Sequence, residues 1–162
     1  MKRKYVFLSV IAALIITAVA VWTLCNDEKE KYEGMRVQET PLKEFIDLPE
    51  DSSCLVFMFV PSCKYCQNSV ANLNEYEKTG VVDKVVGLTL KDSIGEKYFI
   101  RHYQPAFPII GCDIQKLLAF NNRFPTSYYI ENSVIVKVFR GELPEGKKFF
   151  KKSKKKIKQC GI

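Results

Sequence analysis

Residues 54–78 read CLVFMFVPSCKYCQNSVANLNEYEK. The first seven are apolar without a break, which fits a strand buried on both faces rather than one alternating between core and water. Pro61 ends that run. From Cys63 the period changes: Val70, Leu73 and Tyr76 recur at helical spacing, Asn68, Asn72, Glu75 and Lys78 fall outside them, and Gly80 stops the pattern. A buried strand passing directly into an amphipathic helix is the nucleus of an α/β unit. Two cysteines, Cys63 and Cys66, sit where the two elements meet.

That placement carries more chemistry than the spacing alone. The first turn of a helix presents unpaired N–H groups and the positive end of the macrodipole, both of which favour an anion. A thiolate at Cys63 is therefore expected to form below the ~8.5 of a free thiol, with Lys64 adding a positive charge. Cys66 falls one turn further in and closer to the core. Cys63 is thus the expected attacking thiol, and Cys66 the one that resolves a mixed disulfide. A structural zinc site would need two more ligands, yet the chain has one histidine, His102, and its other cysteines are isolated. No metal and no other cofactor is expected. His102 reads as a surface or helix-end residue.

Working outward, residues 41–48 (PLKEFIDL) suggest a short helix, with Leu42, Phe45 and Ile46 at helical spacing. Residues 85–90 (VVGLTL) read as a second core strand. Residues 94–103 read as a helix with Ile94, Tyr98 and Phe99 turned inward. A short apolar piece follows at 107–110 and a short helix at 114–120. Two β-rich runs, 127–130 and 134–139, are separated by Glu131-Asn132-Ser133 and so predict a hairpin. A last helix is expected after Pro144. The order β-α-β-α-(β)-α-β-β-α predicts an α/β sandwich, with helices on both faces of a mixed sheet.

The two ends of the 162-residue chain differ from this middle. Lys2, Arg3 and Lys4 precede an uncharged apolar run over residues 5–25, long enough as a helix to span a bilayer core of roughly 30 Å. The basic flank should stay in the cytoplasm, placing the rest on the periplasmic or other extracytoplasmic side of the inner membrane. A removed signal peptide, with Ala18-Val19-Ala20 as its cleavage site, would export the domain equally; a lipid-modified Cys25 is disfavoured by Leu24 before it. Residues 26–40 are polar and read as a spacer, and 41–162 as one domain. Residues 146–162 hold eight lysines and no acid, which accounts for the net charge of +7. They read as the solvated face of a basic C-terminal helix. Nucleic acid is not an expected partner, because an exported domain does not meet it. The six cysteines at 25, 54, 63, 66, 112 and 160 are compatible with an oxidising compartment. Cys54 reads as a small buried hydrophobe, and the pairing of Cys112 and Cys160 stays open.

One further motif is Phe124-Pro125-Thr126, just before the strand SYYI. With the strand-CxxC-helix unit and the extra segment 92–114 after the second strand, it gives a specific resemblance. Residues 41–152 resemble the thioredoxin superfamily, in particular its membrane-anchored TlpA/ResA-type branch. The resemblance implies a thioredoxin-like fold and thiol-disulfide exchange in the reducing direction. It also implies a cis-proline at Pro125 near Cys63, and a Phe124 backbone free to pair with an extended substrate. Lys64 and Tyr65, between the cysteines, would join Phe124 in contacting that substrate. Its implied partners are exported proteins with disulfides and a membrane electron donor.

Two departures stand out. The buried acid that thioredoxins carry six residues before the first cysteine is Phe57 here, and the glutamate frequent three residues after the second cysteine is Ser69. Asp92 is the candidate replacement. The missing acids bear on how the Cys66 proton is handled, and they support an alternative: a tethered, non-catalytic binding or metal-carrier module. A thiol peroxidase is disfavoured, because Val60 stands three residues before Cys63 where such enzymes place threonine.

Overall fold

The computed structural model describes residues 30–48, 51–91, 93–146 and 148. The apolar run 5–25, Cys25, Asp92, Cys160 and the basic stretch from 149 onward lie outside the described residues. The chain divides into two units, Met1–Glu30 and Lys31–Ile162, and every element below belongs to the second. Among the described residues no helix is long and apolar enough to cross a membrane.

The run at 54–60 forms β1, Ser53–Phe59, buried from Cys54 to its end. It lies at the centre of a five-stranded sheet of order β3-β2-β1-β4-β5. β2 (Lys84–Leu90) runs parallel to it and β3 (Ile109–Cys112) parallel to β2. β4 (Thr126–Glu131) is antiparallel to β1, and β5 (Val134–Arg140) antiparallel to β4. The β4–β5 hairpin turns through Asn132 and Ser133, at φ 50° and 61°, the pair of left-handed residues that a two-residue turn of this hand requires. Successive side chains of β1 point to opposite faces. Cys54, Val56 and Met58 enter a core with Leu42, Leu117 and Phe120. Leu55, Phe57 and Phe59 enter another with Val70, Leu73, Tyr76 and Phe99. The expected layering, helices on both faces of a mixed sheet, is the observed one.

Helix α1, Lys64–Lys78, buries Val70, Leu73 and Tyr76 as its period predicts. It ends at Gly80, whose φ of +65° lets the Val81 N–H reach back to the Tyr76 carbonyl at 2.9 Å. Helix α3, Ile114–Phe120, is capped by Asp113, whose Oδ1 accepts from the Gln115 and Lys116 amides.

Three expectations need correction. In α2, Ser93–Tyr103, the inward residue is Phe99, fully buried against Phe59 with ring centroids 4.6 Å apart. Ile94 and Tyr98 are instead 80% and 60% exposed. The helix carries two apolar stripes, and the ring stack with Phe59 selects the one holding Phe99; Tyr98 stacks on His102 instead. Residues 41–48 form no α-helix but a 3-10 turn, Pro41–Glu44, whose start is fixed by the Leu42 N–H donating to Thr40 Oγ1. Leu42 and Ile46 still reach the core from it. Finally, residues 31–40, expected in the spacer, pack on the domain. Gly34 donates to the Ile135 carbonyl and Ile135 to that of Met35. Glu33 pairs with Lys137 at 2.8 Å and accepts from the Val138 amide, and Val37 is buried. This strap covers the outer edge of β5, which would otherwise present unpaired backbone groups.

Candidate active site

At the end of β1 the chain turns through Val60, Pro61 and Ser62. The turn is closed by the Cys63 N–H donating to the Val60 carbonyl at 3.0 Å. Cys63 is the N-cap of α1, with extended backbone at φ −79° and ψ 121°, and its carbonyl accepts the Gln67 amide at 3.0 Å. The Gln67 carboxamide reaches back to the Pro61 carbonyl, also at 3.0 Å. The loop bearing the first cysteine is therefore tied to the first turn of the helix at two points.

The two thiols differ in surroundings. Cys63 is half-buried at the margin of the α1-side core, whereas Cys66 is fully enclosed within it. Burial pushes the Cys66 thiol well above the usual range; the Val60 backbone counters this in part, and a hydrogen bond with Cys63 pushes it further up. The arrangement holds the proton on the inner sulfur and leaves the outer sulfur as its partner. Both are free thiols, as are Cys54 and Cys112. Those last two are buried elsewhere, and desolvation pushes them to about 12 and about 11. Cys54 is the small core residue expected. Its register opposite Lys84, against Leu90 for Cys112, puts the two at opposite ends of the sheet.

The register of β1 with β4 brings the second motif to the same end. Met58 faces Thr126, so Pro125 lies level with Phe59, the last residue of β1, where the Cys63 loop emerges. The Phe124–Pro125 peptide is cis. The Pro125 carbonyl accepts from Gly141, and the Thr126 hydroxyl donates to the Arg123 carbonyl at 2.7 Å. Phe124 is half-buried and packs against both cores, including the one that Cys63 borders. Lys64 is exposed, and so is Tyr65, at 62%.

The acid positions are filled otherwise. Phe57 is fully buried, stacked on Phe59 at 5.1 Å and edge-on to Phe107. Gly87, its partner on β2, leaves little room for a methyl group, which would come within 3.1 Å of the Phe59 and Phe107 rings. Ser69 is buried; its hydroxyl donates to the Tyr65 carbonyl and accepts the Leu143 amide, tying α1 to the segment after β5. Asp92 lies outside the described residues. Among the described residues, the groups acting on the Cys66 thiol are Val60, Cys63 and its own backbone, with no carboxylate among them. His102 is exposed on α2, as expected, and among the described residues no three His, Cys, Asp or Glu side chains lie together so as to hold a metal ion. Val60 and Gln67 were not legible beforehand: one acts through its backbone, and the other is a polar residue like its neighbours.

No family model and no curated protein matches the sequence. Solved structures do match its architecture. A secreted Mycobacterium tuberculosis disulfide oxidoreductase homologous to E. coli DsbE aligns at 11% identity and a TM-score of 0.54, over 64% of this chain and 81% of that one. StoA from Bacillus subtilis aligns at 16% identity and 0.54, over 64% and 83%. A thiol:disulfide interchange protein of the thioredoxin family from Chlorobium tepidum aligns at 18% and 0.53, over 64% and 79%. At such identities the likeness is one of architecture, and it establishes that this chain has the thioredoxin fold.

Proposed function

We propose that the chain is a thiol-disulfide oxidoreductase that exchanges disulfides with exported proteins in the reducing direction. The observation that carries this reading is the unequal pair at the start of α1: a fully buried Cys66 thiol one helical turn in from a half-buried Cys63, at the end of the sheet where the cis-Pro125 loop lies. The Cys63 thiolate attacks one sulfur of a substrate disulfide, forming a mixed disulfide, and the other substrate sulfur leaves as a thiolate and takes up a proton. Cys66 then gives up its proton and attacks the Cys63 sulfur. The Cys63–Cys66 disulfide forms, and the second substrate thiol is released. Two electrons pass to the substrate and are restored by a dithiol donor in the membrane. Phe124, Lys64 and Tyr65 contact the substrate chain. The solved neighbours named for disulfide exchange, one of them described as secreted, support the reading. So does the basic-then-apolar N-terminus, which favours tethering at the inner membrane with the domain outside the cytoplasm.

Phe57 and Ser69 favour a second reading, a tethered module that binds without turnover. Insulin reduction separates the two: the native chain is expected to exceed Cys63→Ser clearly, and equal, near-background rates would leave only the binding module. The direction is read from the reduction potential. A value well below about −200 mV marks a reductant, and one near about −120 mV an oxidant. Mixed disulfides trapped with Cys66→Ser in membranes would identify the substrates.

A further inference from the structure

Beside the cis-Pro125 loop, on the sheet face opposite α1, lies an open cavity of about 310 Å3 that the exchange chemistry does not use. Its lining includes Lys31, Arg123 and Arg140, together with Asn121 and Asn122, and among the described residues no carboxylate. The arginines stand on fixed backbone. Arg123 is held by the Asn121 carboxamide, which donates to its carbonyl at 2.7 Å and accepts its N–H at 3.4 Å, while the Thr126 hydroxyl donates to the same carbonyl. Arg140 ends β5 directly opposite Thr126, and the next residue, Gly141, donates to the Pro125 carbonyl. The backbone that carries each arginine is thus fixed beside Phe124 and Pro125.

We infer that this cavity is a specificity subsite for carboxylates in the protein substrate: it takes Asp or Glu side chains flanking the disulfide that Cys63 attacks. The inference rests on the exchange reading, because an extended segment pairing with the Phe124 backbone carries its neighbouring side chains past Arg123 and Arg140. Guanidinium groups suit this role, since they bind carboxylates through two parallel hydrogen bonds, and a pre-set backbone lowers the ordering cost. The asparagine carboxamides add neutral donors at the rim. Acidic substrates are therefore selected by binding.

The test uses the full chain in detergent and three disulfide peptides of equal length, in which the disulfide is flanked by Glu, Gln or Lys. The native protein is expected to favour the Glu peptide over the Gln peptide by about tenfold in kcat/KM, through KM rather than kcat. Arg123→Gln should bring that ratio close to one, and Arg123→Lys should keep only part of it, because an ammonium keeps the charge and lacks the paired donors. Lys31→Gln should lower it by a smaller factor. Equal treatment of Glu and Gln peptides by the native protein overturns the inference. So does a ratio that survives Arg123→Gln, or a preference residing in kcat. Anisotropy binding of the same peptides with their cysteines replaced by serine gives a readout independent of turnover. Turnover of all three without a Glu preference sinks the subsite alone. A Glu preference in binding with no turnover of any peptide sinks the exchange reading and leaves the subsite standing. Displacement of the bound Glu peptide by an equal concentration of inorganic phosphate would reassign the cavity to small anions and overturn the proposal.

Discussion

Four cysteines lie in the described domain, and their surroundings rather than their number decide which can react. Cys54, Cys66 and Cys112 are at most 4% exposed, while Cys63 is half-buried at the N-terminus of α1. Alkylation requires both a thiolate and an approach path. In the reduced native protein at neutral pH, iodoacetamide is therefore expected to modify Cys63 first, with Cys54, Cys66 and Cys112 labelled only after denaturation. Peptide mapping reads this directly, and rapid native labelling of Cys66 ahead of Cys63 would reverse the roles assigned here. The CxxC pair could be picked out from residue order because a buried strand and a helix bracket it. The groups that set its geometry could not. The Val60 amide and carbonyl act through the backbone, and no side-chain pattern marks them.

At the scale of elements, α2 shows how an amphipathic reading is decided. Its sequence offers two apolar stripes, and hydrophobicity does not rank Ile94 and Tyr98 below Phe99. The ranking comes from across the layer, where Phe59, Phe57 and Phe107 already form a ring cluster that Phe99 completes. Phe99→Ala is accordingly expected to destabilise the domain by about 3–4 kcal/mol. Tyr98→Ala should stay within about 0.5 kcal/mol, since surface changes of this kind have small effects. Urea unfolding of the two variants checks the contrast, and equal losses would contradict the observed facing. β1, β2 and the β4–β5 hairpin were legible because continuous apolar runs, and two β-rich runs separated by a short polar break, allow few alternatives. The strap at 31–40 was not: most of its attachment is backbone pairing to Met35 and Gly34, with Val37 its one fully apolar buried contact.

For the whole molecule, the buried thiols act together on stability. A thiol whose folded ionisation point is raised binds its proton more tightly in the native than in the unfolded state. The stability it contributes is complete below the unfolded value of about 8.5 and is lost as pH rises above it. Cys54, at about 12, Cys66, raised further, and Cys112, at about 11, all have this sign. The reduced protein is therefore expected to lose up to about 1.4 kcal/mol per pH unit for each such thiol above that point. Urea midpoints measured from about pH 8 to about pH 10 test this. Oxidation of Cys63 to Cys66 should flatten the decline by removing one of the three, and a midpoint independent of pH would contradict the enclosure of these sulfurs.

The strap that hydrogen-bonds to β5 has a further consequence, for how the chain is made. Residues 34–37 find their partners only near 133–135, about a hundred positions later, so the outermost seam of the sheet closes only after all five strands have been made. Until then the hairpin has an open flank and the early residues have nowhere to dock. A ribosome-bound chain must wait unfinished, and the last strand of the sheet to emerge is the one that lets the first residues of the domain settle.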